Sequence, residues 1–223
     1  MIKVVYEDNH LLVVQKPINI PVQEDESKDM DFCSMLKKYI KDKYNKPGNV
    51  YLGMVHRLDR PVSGIMVFAR TSKAASRLSE SIKNREFNKI YYAVVMGNIN
   101  DEGRLVDKLL KNSNNNTVSV NDKGKEATLS YKKIGYKKDL SLIRVSLETG
   151  RSHQIRVQLA NAGFPIFGDQ KYNSKALLHT QIALFASEVS FKHPITKEEV
   201  CFKLNLPTRR PWNLFDNINE GDD

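Results

Sequence analysis

The segment "HRLDRPVSG", His56 to Gly64, sets one carboxylate, Asp59, between Arg57 and Arg60 in a short polar break flanked by the apolar runs "VYLGMV" and "IMVFAR". A carboxylate beside fixed cations is held ionised, because a nearby opposite charge lowers its pKa. Held in that way, it can act as a nucleophile. Taken alone, the same break is better read as an exposed Arg–Asp turn, a pairing worth at most about 1 kcal/mol.

Two more groups have chemical promise. In "TGRSHQIR", Thr149 to Arg156, Arg151 sits in a glycine turn and Arg156 on a short helix behind it. The planar donor fork of a guanidinium suits an RNA phosphate or a buried carboxylate. In "NKIYYAVVMG", strand alternation puts Lys89 and Tyr91 on one side, where a ring can stack on a base. Each has a plain alternative: a satisfied surface helix for the first, a core tyrosine for the second.

Other chemistries find little support. The five histidines, at 10, 56, 153, 179 and 193, include no i, i+4 pair, and Cys33 and Cys201 lie in no metal or redox spacing. Phosphate-binding glycine loops and a G-x-S-x-G turn are missing. We therefore expect no metal and no cofactor. Lys and Arg outnumber Asp and Glu by 35 to 26, a formal charge of +9, which favours a polyanionic partner such as RNA, although the same surplus serves solubility. No apolar run approaches the roughly 20 residues of a membrane span, and no signal-type segment opens the chain. The expectation is a cytoplasmic monomer with no membrane partner.

The elements that must position these residues follow from periodicity. "IKVVYEDNHLLVVQKP" reads as two short strands about an Asp8-Asn9 turn. "DFCSMLKKYIKDKYNKPG" has Phe32, Met35, Leu36, Tyr39 and Ile40 at helical spacing. "TSKAASRLSESIKNREF" predicts a second helix behind a Thr/Ser cap, with Ala75, Leu78 and Ile82 inward. "LLKNSNNNTVSVNDKGKE" reads as a solvated excursion tipped by a turn, and two hairpins follow, about Lys137-Lys138-Asp139 and about "HPITKEE". Ser152 is a plausible cap for the short helix carrying Ile155 and Leu159, with Gly163 as its stop. The whole predicts one α+β domain over residues 1–215, a largely antiparallel mixed sheet flanked by helices and loops about a central cleft, with 216–223 a frayed acidic tail.

In order and spacing, "EDNHLLVVQKPINIPV", "HRLDRPVSGIMVFAR", "KIYYAVVMG", "LETGRSHQIRVQLANAGFPIFGDQKY" and "LLHTQIALFASEVSFKHP" resemble the RluA-type family of RNA pseudouridine synthases. The resemblance implies an isomerase that detaches uracil from its ribose in rRNA or tRNA and rejoins it through carbon 5, with no cofactor. It implies Asp59 as nucleophile, Tyr91 as the ring stacked on the target uracil and Arg156 as the partner of the catalytic carboxylate. Removal of the carbon 5 proton is a second role open to Tyr91. Arg57 matches the arginine that enters in place of the extruded nucleotide. His56, Arg60, Lys89, Arg151 and His153 become RNA-binding or supporting residues.

Two positions depart from the family pattern: Val62 where threonine is common, and Gln158 where histidine is frequent. The chain also begins at the catalytic domain, whereas many relatives have a small RNA-binding module in front, so target choice would rest on its own basic surface. Two other readings stay open on the sequence. One is a non-catalytic RNA-binding or RNA-folding protein. The other is a carboxylate-dependent hydrolase of nucleosides or sugars, for which Asp101 and Glu148 are the available second acids.

Overall fold

The computed structural model describes residues 2–215, so the expected fraying of the 216–223 tail lies outside the described residues. The fold is α+β. Two strands open the chain, β1 (Lys3–Glu7) and β2 (Leu11–Lys16), joined where the Asp8 carboxylate accepts the N–H groups of His10 (2.7 Å) and Leu11 (2.6 Å). This Asx-type turn is the local chemistry that the Asp8-Asn9 pair predicts. Helix α1 (Phe32–Lys43) starts at Asp31, whose side chain accepts from the Ser34 N–H, and it buries Phe32, Leu36 and Ile40. The two-residue strand β3 (Gly53–Met54) and strand β4 (Ser63–Ala69) follow, then helix α2 (Ser72–Lys83), capped by Thr71. In α2 it is Ala74, not Ala75, that takes the buried position beside Leu78, and Ile82 is only half-buried.

Strand β5 (Asn88–Met96) is buried along almost its whole length. The Asn-rich span is not a plain excursion. Strand β6 (Glu102–Asn112) runs into it and β7 (Thr117–Val120) returns antiparallel, Leu109 opposite Val120 and Asn112 opposite Thr117. Leu109 and Val118 turn inward onto Ala127 and Val157, so two apolar residues in a polar run suffice to dock the hairpin. Strands β8 (Lys125–Lys137) and β9 (Leu140–Leu147) form the expected hairpin, with Lys138 and Asp139 both at positive φ. Helix α3 is Gln154–Asn161, and strands β10 (Leu184–Lys192) and β11 (Glu199–Lys203) make the last hairpin.

By contacts the chain resolves into two compact units, Met1–Asn88 with Ala186–Leu204, and Lys89–Phe185 with Asn205–Asp223. Neither is one continuous stretch, and no linker composition marks the crossings. In the first unit β2 pairs antiparallel with both β1 and β4, and β3 pairs with β4. In the second the strand order is β5-β9-β8-β6-β7, with antiparallel ladders throughout.

Candidate active site

In the first unit, the chain between β3 and β4 presents His56, Arg57, Asp59 and Arg60 from one loop. Leu58 is buried and anchors it, while Asp59 is half-buried and Arg57 exposed. The His56 imidazole accepts the Val67 N–H at Nε2 (3.0 Å), and its ring packs on Phe87, itself stacked on Phe191. Accepting at Nε2 fixes the proton of the neutral ring on Nδ1. The Asp59 carbonyl accepts the Val62 N–H (3.0 Å), closing a turn over Arg60-Pro61. Gly64 then enters β4 at φ +135°, where a Cβ would fall 2.2 Å from the Ala186 carbonyl oxygen, so only glycine fits.

Two cations of this loop region are held in different ways. Arg60 sends its guanidinium to Ser27 (2.8 Å), Asp29 and Asp25, tying the loop to the acidic segment before α1. A second cation beside this loop is Lys16, at the end of β2, on which the Asp59 charge acts. Lys16 is fully buried, and its Nζ donates to the carbonyls of Pro17 (2.8 Å), Arg60 (3.0 Å) and Val62 (2.9 Å). Burial pushes its pKa down to about 7, with the Asp59 charge pulling upward and Arg60 pushing further down. The Ser63 hydroxyl adds a bond to the Lys16 carbonyl (3.0 Å). Val62 itself is buried, so its side chain gives packing while its backbone donates to Asp59 and accepts from Lys16.

In the second unit, Lys89 and Tyr91 lie on β5, with Tyr91 opposite Val145 of β9 and buried. Burial lowers the Lys89 pKa. Its ammonium lies 3.3 Å from where a Gly150 Cβ would stand, so β5 and the "TGRSH" turn meet. Arg151 is exposed, with Nε on the Glu126 carbonyl (2.9 Å).

Helix α3 departs from a surface helix, since Gln154 through Leu159 are all buried. Ser152 does not cap it. The N-cap is His153, in the left-handed conformation at φ 52° and with no side-chain cap bond. The Gln154 Oε1 instead ties down the turn before the helix, accepting the Arg151 N–H (2.9 Å) and the Thr149 hydroxyl (2.8 Å). Buried polar groups must find partners, and here they find each other. Gln154 Nε2 donates to the Thr128 carbonyl and to Gln158 Oε1, both at 3.0 Å, and Gln158 Nε2 donates to Asp107 (2.8 Å) and the Ala127 carbonyl (3.1 Å). The departure at Gln158 therefore keeps a polar node rather than removing one.

Arg156 pairs bidentately with Asp169, Nε to Oδ2 and Nη2 to Oδ1, both 2.8 Å, and the pair is buried. The guanidinium lies over the Tyr172 ring, 5.1 Å from its centroid. The Tyr172 hydroxyl accepts the Val118 N–H (2.9 Å) and stands within hydrogen-bond distance, 2.6 Å, of His153 Nδ1. Sequence reasoning missed Lys16, Gln154, Asp169 and Tyr172. Two left a signal: a lysine closing the apolar run "LLVVQK", and an acid inside "FPIFGDQKY". Among the described residues no group of three or more His, Cys, Asp or Glu could hold a metal ion.

Residues 10–161 match the family described as RNA pseudouridylate synthase. The chain is 32% identical to ribosomal large subunit pseudouridine synthase D of Zymomonas mobilis over 92% of its length and 69% of that protein. It is 32% identical to ribosomal large subunit pseudouridine synthase C of Vibrio vulnificus, covering 92% of this chain and 65% of that one. A third relative, synthase D of Pseudomonas aeruginosa, is 31% identical over 96% of this chain and 71% of its own. The chain thus spans about two thirds of the length of these relatives. The fold is similar to that of human RNA pseudouridylate synthase domain containing 4, with TM-score 0.78 and 20% identity over 92% of this chain and 88% of that one. Matching ordered motifs, a family match across most of the chain and the shared fold agree: the chain belongs to the RNA pseudouridylate synthase family, isomerases acting on RNA.

Proposed function

We propose that residues 1–215 form the catalytic domain of a pseudouridine synthase that modifies uridine in ribosomal RNA, with Asp59 as the nucleophile. The observation that supports Asp59 most is local. It is the acid of a loop whose neighbouring carbonyls, at Arg60 and Val62, are fixed by one buried ammonium. A nucleophile needs a fixed position, and a loop held at its backbone supplies one. The ribosomal choice over transfer RNA follows the names of the relatives, the large-subunit synthases C and D.

In the proposed reaction the bond from N1 of uracil to C1′ breaks and a bond from C5 to C1′ forms. The proton of C5 goes to solvent and N1 gains one. Tyr91 stacks on the extruded uracil, Arg57 takes the vacated place in the RNA, and Arg156 holds the catalytic carboxylate. Extrusion requires a few kcal/mol, which stacking and an inserted side chain offset. His56, Lys89, Arg151 and His153 support RNA binding, and Arg60 does so through the loop it braces. The protein works as a cytoplasmic monomer in this reading; no helix among the described residues is long and apolar enough to cross a membrane.

The test is release of tritium from carbon 5 of uracil in labelled ribosomal RNA. Wild type should release label and Asp59→Asn none. Equal release by the variant would remove Asp59 from its role. Salt-dependent RNA binding with no release by wild type would favour a binding protein on the same scaffold.

A further inference from the structure

Lys16 is an unusual residue to find wholly enclosed. A lysine is almost never fully buried without a partner of opposite charge, and this one is bonded to three carbonyl oxygens at 2.8–3.0 Å. An ammonium has three protons to donate, so the three carbonyls use its whole capacity. One acceptor belongs to the residue after Lys16 and two to the Asp59 loop. The Lys16 backbone is joined to the same stretch again, through the Ser63 hydroxyl and through the ladder position opposite Gly64. A single residue thus fixes the carbonyls one and three positions beyond Asp59, while the Val62 N–H closes the turn onto the Asp59 carbonyl.

We propose that Lys16 is a positioning residue for the reaction: its protonated amine sets the Asp59 loop through the Arg60 and Val62 carbonyls, and losing that proton releases the loop. The neutral amine has two protons for three carbonyls and turns a lone pair toward one oxygen, so at least one of the three bonds is lost. The charged groups acting on Lys16 are Asp59, which favours the proton, and Arg60, which disfavours it. Burial is the larger influence and brings the pKa to about 7. The direction follows: the loop is fully braced below that pH and loosens above it. This inference rests on Asp59 being the nucleophile.

The experiment is the pH profile of the single-turnover rate of uridine isomerisation, read with ribosomal RNA alongside the RNA dissociation constant. For wild type the rate should fall about tenfold or more from about pH 6.5 to about pH 9, with RNA affinity changed far less. Lys16→Met keeps the aliphatic stem and drops the ammonium. It should be slower by about a hundredfold at the lower pH, as expected for a misplaced reacting group, and should lack the alkaline fall. A merely destabilised fold would lower the active fraction and leave the shape of the profile in place. Should Lys16→Met not fold, the wild-type protein still decides, by an NMR titration of the lysine Nζ resonances: a buried lysine losing its proton in step with the rate supports the proposal. A flat wild-type rate over this range overturns it, as does an alkaline fall that persists in Lys16→Met. Failure of the functional reading looks different, because wild type would then release no tritium at any pH.

Discussion

The Asp59 loop and the Arg156 helix each fix a charged side chain, and they do so by opposite means. In the loop a side chain binds backbone: Lys16 holds the carbonyls of Pro17, Arg60 and Val62. In the helix side chains bind mainly side chains: Asp169 holds Arg156, Tyr172 lies beneath it, and Gln154, Gln158 and Asp107 form a chain of amide and carboxylate contacts. A carbonyl oxygen is the same acceptor whatever residue bears it. The loop therefore tolerates valine at position 62, because what Lys16 requires there is only main chain. The helix has less latitude, since Asp169, Gln158 and Asp107 act through their side chains, even though Gln154 and Gln158 also reach the Thr128 and Ala127 carbonyls.

That contrast can be broken most forcefully at Asp169. Asp169→Asn keeps the shape and removes the charge from a buried bidentate pair. Breaking such a pair destabilises by about 3–5 kcal/mol, which urea unfolding would register as a lower midpoint. A change below about 1 kcal/mol would mean that Arg156 is held elsewhere and the contrast is weaker than drawn. Gln158→Leu should have a middling effect, about 1–3 kcal/mol, because it leaves the Ala127 carbonyl and the Gln154 amide short of buried partners. Here a thermal melt suffices, and an unchanged Tm would remove the amide chain from the account of how α3 is held.

Arg60→Ala should have the smallest effect. Its contacts to Ser27, Asp25 and Asp29 are exposed, and exposed pairs contribute up to about 1 kcal/mol. If the loop is held from below by Lys16, the tritium-release rate of Arg60→Ala should stay within about threefold of wild type, a change well under 1 kcal/mol in barrier. A loss as deep as that of Asp59→Asn would move Arg60 from bracing into the chemistry itself.

Much of the local structure was legible. The Asp8 turn, the Thr71 cap and the Lys138-Asp139 hairpin are each set by residues within a few positions of one another. The local signal was incomplete where another partner, near or far in the chain, came into play. Ser152 is a good cap by type, yet Gln154 satisfies the turn from inside the helix. The Asn-rich span is polar enough to be a loop, but Leu109 and Val118 find Ala127 and Val157 to pack against. Arg60 lies next to Asp59 in the chain and pairs with acids some thirty residues earlier.

The sequence by itself determined which chemical groups are available and in what order: one acid between two arginines, a lysine and a tyrosine on one strand face, an arginine on a short helix. Those are matters of residue type and short spacing, which the chain states directly. Only the tertiary structure decided what holds each group. Lys16 meets the Arg60 and Val62 carbonyls across 44 and 46 residues, and Arg156 meets Asp169 across a turn that no periodicity announces. Burial is the reason. Once a charge is taken out of water it must be met by whatever the fold brings within about 3 Å, and that depends on how strands and helices pack rather than on which residues are neighbours in the chain.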